Sequence, residues 1–152
     1  MARFSCNDID GFVLSMEEIA MLDDDAVTSI LSAGAEVIRQ AHVDSINRHF
    51  DKRTAKLIGS PKVHMKVGSG RNGHGAKERY ALVYPAGEHH KFNAKSGGTG
   101  TATNADLGFV HEFGGHGNEA AGWMREANER DADAMVEAEE KVYDTWLKSK
   151  NL

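Results

Sequence analysis

The chain has 152 residues, 18 of them Lys or Arg and 23 Asp or Glu, giving a formal net charge of −5 at pH 7. Apolar residues at 40% and charged residues at 27% match an average globular domain, and no apolar stretch nears the ~20 residues that a membrane-spanning helix needs. The lone cysteine, Cys6, excludes an internal disulfide and an all-cysteine metal cage. Met1–Asp8 has no apolar core of signal-peptide length and turns acidic early, which predicts an intracellular chain or part of a particle assembled inside a cell.

The net charge conceals a segregation. Residues 1–50 hold three basic and nine acidic residues, 51–95 ten basic and three acidic, and 119–148 four basic and nine acidic. An acid–base–acid order points to pairing within the fold, or to copies that set basic surface against acidic surface.

In chain order, the first predicted element is a helical turn from Met16 to Leu22, with Ser15 and Glu18 at capping-box spacing. A long helix from Asp24 to Phe50 follows. Its apolar or small positions Val27, Ile30, Leu31, Gly34, Val37, Ile38, Ala41, Ser45 and Ile46 advance by three and four. Asp23-Asp24-Asp25 supplies an N-cap oxygen and negative charge for the helix dipole, and Gly34 marks a close helix contact.

The period then changes. Val63, Met65 and Val67 alternate with His64 and Lys66 as a half-buried strand, and Arg79–Tyr84 reads as a second strand closed by Pro85. The Gly-rich run 68–75, with its Asn72-Gly73 pair, reads as the hairpin turn between them. Ala86–Ala105 is polar and rich in Gly and Thr, and is expected to be a mobile or partner-ordered loop. Leu107–Phe113 reads as a third strand, and Asn118–Lys148 as one long helix through Ala120, Trp123, Met124, Ala127, Ala134, Ala138, Val142 and Trp146. The sum is an α+β fold over residues 1–152 as a single domain: a long N-terminal helix, a small antiparallel sheet of three to four strands with a long flexible loop, and a long C-terminal helix.

Few residue constellations suggest chemistry. His111-Glu112-Phe113-Gly114-Gly115-His116 imitates the zinc-protease pattern, but its histidines are five apart where that chemistry needs four on one helical face. His64, His74, His89, His90, His111 and His116 could form a looser site, although histidines on a Gly-rich backbone are poorly preorganised. The 68–73 glycine pattern lacks the βαβ context of a dinucleotide site. No Gly-x-Ser-x-Gly elbow is present, and Cys6 stands alone. Tyr80, Tyr84, Phe109, Phe113, Trp123 and Trp146 are expected in the core or an interface. Glu112, between aromatic residues, is expected to be a buried or interfacial carboxylate with a basic partner.

Three segments carry a family resemblance across about Asp24–Leu147. Thr54-Ala55-Lys56-Leu57-Ile58-Gly59-Ser60 is similar to a Thr-Gly-x-Leu-x-x-Ser segment that leads into a first strand. Val110-His111-Glu112-Phe113-Gly114 is similar to a Val-Glu-Phe-Gly string with one insertion. Gly122-Trp123-Met124-Arg125-Glu126-Ala127 stands where a Pro-Phe-Met-x-Pro-Ala segment opens a last helix. In this order the chain resembles the tail-component family of long-tailed bacteriophages, the neck, tail-completion or head–tail joining proteins. The resemblance implies a structural subunit without catalysis or cofactor, in a homo-oligomeric ring with six copies favoured by analogy with tail symmetry. It further implies neighbouring connector and tail-tube or terminator proteins, no membrane, and DNA only as cargo through the lumen. The particle would assemble in a bacterial host cytoplasm and reside in the virion or a phage-tail-like particle. The family-motif candidates are Thr54, Leu57, Ser60, Glu112, Phe113, Gly114, Trp123, Met124 and Ala127. Two other readings of the residues stand beside it: a small metal-dependent hydrolase using the central histidines, and a DNA-binding adaptor using Lys52, Arg53, Lys56, Lys62 and Lys66.

Overall fold

The computed structural model describes residues 22–50, 55–68, 79–93, 99–115 and 117–151. The expected turn at Met16–Leu22, the 69–75 part of the hairpin turn, Thr54, His74 and His116 lie wholly or mainly outside them. The architecture is α+β, with long helices toward both ends and, among the described residues, four strands in two antiparallel pairs.

Helix α1 (Asp24–His49) starts where the sequence places it, with the Asp23 side chain accepting the Ala26 N–H at 2.7 Å. After the short α2 (Ala55–Ile58) come strands β1 (Pro61–Val67) and β2 (Arg79–Pro85), paired in register from Pro61↔Pro85 to Val67↔Arg79. This ribbon lies against α1. Arg79 ties the two by donating to Asp24, in an ion pair, and to the Thr28 hydroxyl at 3.1 Å.

The expected loop over 86–105 is corrected. Strands β3 (Glu88–Asn93) and β4 (Thr99–Thr103) form a second antiparallel pair with a register shift between Glu88 and His90. Thr99, Thr101 and Thr103 alternate with Gly100 and Ala102, so the strand signal is β-branched but not apolar.

The expected third strand at Leu107–Phe113 is also corrected: it lies within helix α3 (Asn104–Phe113). A capping box opens that helix, the Thr103 hydroxyl accepting the Asp106 N–H at 3.1 Å and the Asp106 carboxylate accepting the Thr103 N–H at 2.9 Å. The last helix is two helices, α4 (Trp123–Arg130) and α5 (Ala132–Ser149), separated at Asp131 with φ −106° and ψ 14°.

The α4–α5 segment runs antiparallel to α1. His42 meets Asn128 at the start, Gly34 faces Glu139 midway, and Asp23 and Ala26 border a groove with Trp146 and Lys150 at the end. A Cβ on Gly34 would overlap the Glu139 side chain, so glycine permits this approach, as the sequence suggested. The core is small. Ile46, Leu57 and Trp123 are fully buried, with Phe50, Ile58, Leu107, Ala121 and Met124 packed around them.

Candidate functional site

Trp123 stands at the meeting point of α1, α3 and α4. Its indole N–H donates to the Gly108 carbonyl at 3.1 Å, and its own carbonyl accepts from the Ser45 hydroxyl at 2.9 Å. The second bond is fully buried and fastens α1 to the first residue of α4. Gly108 makes the contact on the other side possible. A Cβ there would sit 2.9 Å from Pro85 Cγ and 3.4 Å from the Trp123 ring.

Helix α4 begins without a capping side chain of its own, because its N-cap residue is Gly122 in the left-handed region at φ 62°. The cap comes from α3. The Glu112 carboxylate accepts the Met124 N–H at 2.6 Å and the Arg125 N–H at 3.2 Å, the second and third amides of α4. These are the donors an N-cap oxygen normally satisfies, and the helix dipole favours a negative charge at that place. The backbone supports the same junction, with Ala121 N–H donating to His111 O and Gly122 N–H to Glu112 O. Glu112 is buried as the sequence predicts, but its recorded partners are helix amides where a basic side chain was expected.

His42 completes the cluster. It is 2% exposed, lies edge-on to Trp123 at 5.3 Å, and shares a 2.9 Å hydrogen bond through Nε2 with Asn128 Oδ1. Burial lowers its pKa below the usual histidine value, against the opposing pull of the Asn128 bond and the Glu112 carboxylate. Near the α1 C-terminus, Glu126 accepts from Arg48 at 2.8 Å and pairs with His49 at 2.6 Å on the surface.

The motif residues divide clearly. Leu57, Glu112, Trp123 and Ala127 are buried, and Ser60, also buried, donates its hydroxyl to the Leu57 carbonyl at 2.7 Å. Met124 packs on the core edge. Gly114 ends α3 at φ 80°, a conformation that favours glycine. Phe113 lies outside the core. It is 72% exposed, stacked on the 49% exposed Phe109 with ring centroids 6.0 Å apart. Asn104, Gly108 and Glu112 occupy the buried side of α3, so both phenylalanines face outward. Tyr80 is likewise 42% exposed.

The described histidines are dispersed. His64 stacks on Tyr84 at 4.4 Å, His89 and His90 sit on β3, and His111 packs against Phe50 at 4.5 Å. Among the described residues, no three His, Cys, Asp or Glu side chains gather as a metal site. No described helix is long and apolar enough to cross a membrane.

Sequence reasoning missed three parts of the junction: the Ser45–Trp123 bond, the His42–Asn128 bond and the close approach at Gly108. Only the last had a local signal, an isolated glycine in an apolar run. Comparison with protein-family models, with curated proteins and with solved structures gives no match.

Proposed function

We propose that this protein is a structural subunit of a phage, prophage or phage-tail-like particle, building a homo-oligomeric ring at the neck or head-proximal end of the tail. One observation carries the reading. Three stretches that resemble tail-component motifs, the first of them far upstream of the other two, meet around Trp123. Leu57 packs in its cluster, Glu112 caps the helix it begins, and Ala127 is buried one turn further on. Residues that hold helices in fixed relation suit a subunit whose task is shape. The exposed aromatic residues Tyr80, Phe109 and Phe113 suit one that buries more surface on assembly.

In this reading the ring joins or completes the tail without catalysis, contacts a connector ring and tail-tube or terminator proteins, and passes DNA through its lumen. Negative-stain electron microscopy of the purified full chain tests it. Class averages of closed rings with an open centre support the reading. Particles of monomer size throughout contradict it.

A further inference from the structure

We propose that the outer face of the β1–β2 ribbon docks onto the outer face of helix α5 in the next copy of this chain. The inference rests on the ring reading and assigns its two contacting surfaces.

Cross-strand pairs put Lys62 with Tyr84, His64 with Leu82, and Lys66 with Tyr80 on one side of the ribbon. The alternate set, which includes Ala81 and Val83, borders a groove shared with Leu31, Ala35 and Ile38 of α1. The outer side therefore has Leu82, 42% exposed, between two exposed lysines, with Tyr80, also 42% exposed, opposite Lys66 and at the edge of that groove. Lys62 and Lys66 are about 13 Å apart along the strand.

Helix α5 offers the complement. None of its 18 residues is fully buried. Asp133, Glu137, Glu140 and Asp144 recur at helical spacing along its exposed side, spanning about 16 Å. Val136, 44% exposed, lies among them. Lys141 and Lys148 border the stripe and leave its balance acidic. Neither Lys62 nor Lys66, nor any of the four carboxylates, has an ion-pair partner among the described residues.

The two faces thus have opposite charge, similar length and an exposed apolar centre. Both turn away from α1, and among the described residues of a single copy neither face meets a charge partner. Contact between unlike faces is heterologous, and repetition closes a ring when the rotation permits. Tyrosines and lysines on a ribbon could also meet nucleic acid, but the exposed acidic stripe on the same chain favours a second copy.

The test is charge exchange, read by sedimentation velocity on the full chain with circular dichroism as the folding control. K62E/K66E and E137K/E140K should each weaken self-association by at least about tenfold, because like charges then oppose each other across the contact. Mixing the two variants should restore assembly, since each keeps the face that the other lacks. Leu82→Asp should weaken association without reversing a charge pair. A ring that withstands both reversals overturns this inference and leaves the ring reading standing. A wild-type chain monomeric at every concentration overturns both. A monomer that binds a duplex DNA fragment, and loses it in K62E/K66E, reassigns the ribbon to nucleic acid.

Discussion

Replacing Glu112 probes the junction most directly. Glu112→Ala leaves the second and third amides of α4 without their acceptor at a junction where Glu112 is only 7% exposed. A hydrogen bond to a charged group contributes about 1.5–3 kcal/mol, and loss of an N-cap costs about 0.5–2 kcal/mol. The two donors share one carboxylate and their losses overlap, so about 3 kcal/mol is expected for the alanine variant. In a domain of this length, that lowers Tm by roughly 6–12 °C. Glu112→Gln keeps one acceptor but sets its NH2 against the other amide, and should lose about half as much. Urea unfolding followed by far-UV circular dichroism measures both. A Glu112→Ala variant within about 0.5 kcal/mol of wild type would refute the capping role. If that variant also lost assembly, Glu112 would be an interface carboxylate.

Gly108→Ala should destabilise by about 1–3 kcal/mol despite the better helix propensity of alanine, because its Cβ meets the Pro85 ring at 2.9 Å; equilibrium unfolding reads this. Thr103→Ala should cost about 1 kcal/mol by removing the α3 capping box, seen as a lower denaturation midpoint at unchanged m. Burial holds the His42 and His111 pKa values below the ordinary histidine value. The unfolded chain therefore binds protons first as pH falls through about 6.5, and this contribution to stability is present above that pH and lost below it. Glu139, raised by burial, acts in the opposite sense on acidification. His42→Gln should flatten the stability profile between about pH 7.5 and 5.5 in a pH series of thermal melts; an unchanged slope would show that His42 does not contribute.

The legible parts of the fold were those whose hydropathy follows burial. Helix α1 carries a stripe at helical spacing and an aspartate cap, β1 alternates, and β2 is rich in β-formers and closed by Pro85, so each was readable from its own residues. Helix α3 reverses the usual signal. Its buried positions include Asn104, Gly108 and Glu112, while Phe109 and Phe113 face outward, so a seven-residue run holding Phe109, Val110 and Phe113 read as a strand. The Thr103–Asp106 capping box was the available clue. Strand β4 hid among threonines and glycine. The break at Asp131 has no Gly or Pro to announce it, so the periodicity ran through.

The candidate site was legible as a list of residues and not as an arrangement. Glu112, Trp123 and Ala127 could be singled out, but a carboxylate that caps a helix beginning eleven residues later requires the chain to turn back at Gly114 and Gly122. That reversal runs through positive-φ glycines, Gly114 and Gly122 among them, and a backbone ladder from His111 and Glu112. No hydropathy pattern encodes it. Ser45 likewise looked like one more small residue in a helical stripe, although its hydroxyl secures the far helix.

The central claim is a ring-forming structural subunit. Its most direct test is the native mass of the purified full chain over a concentration series, at low and at moderate salt. The account predicts one discrete ring-sized species that loosens as salt screens the facing charges. A chain that remains monomeric at every concentration in both buffers would contradict it.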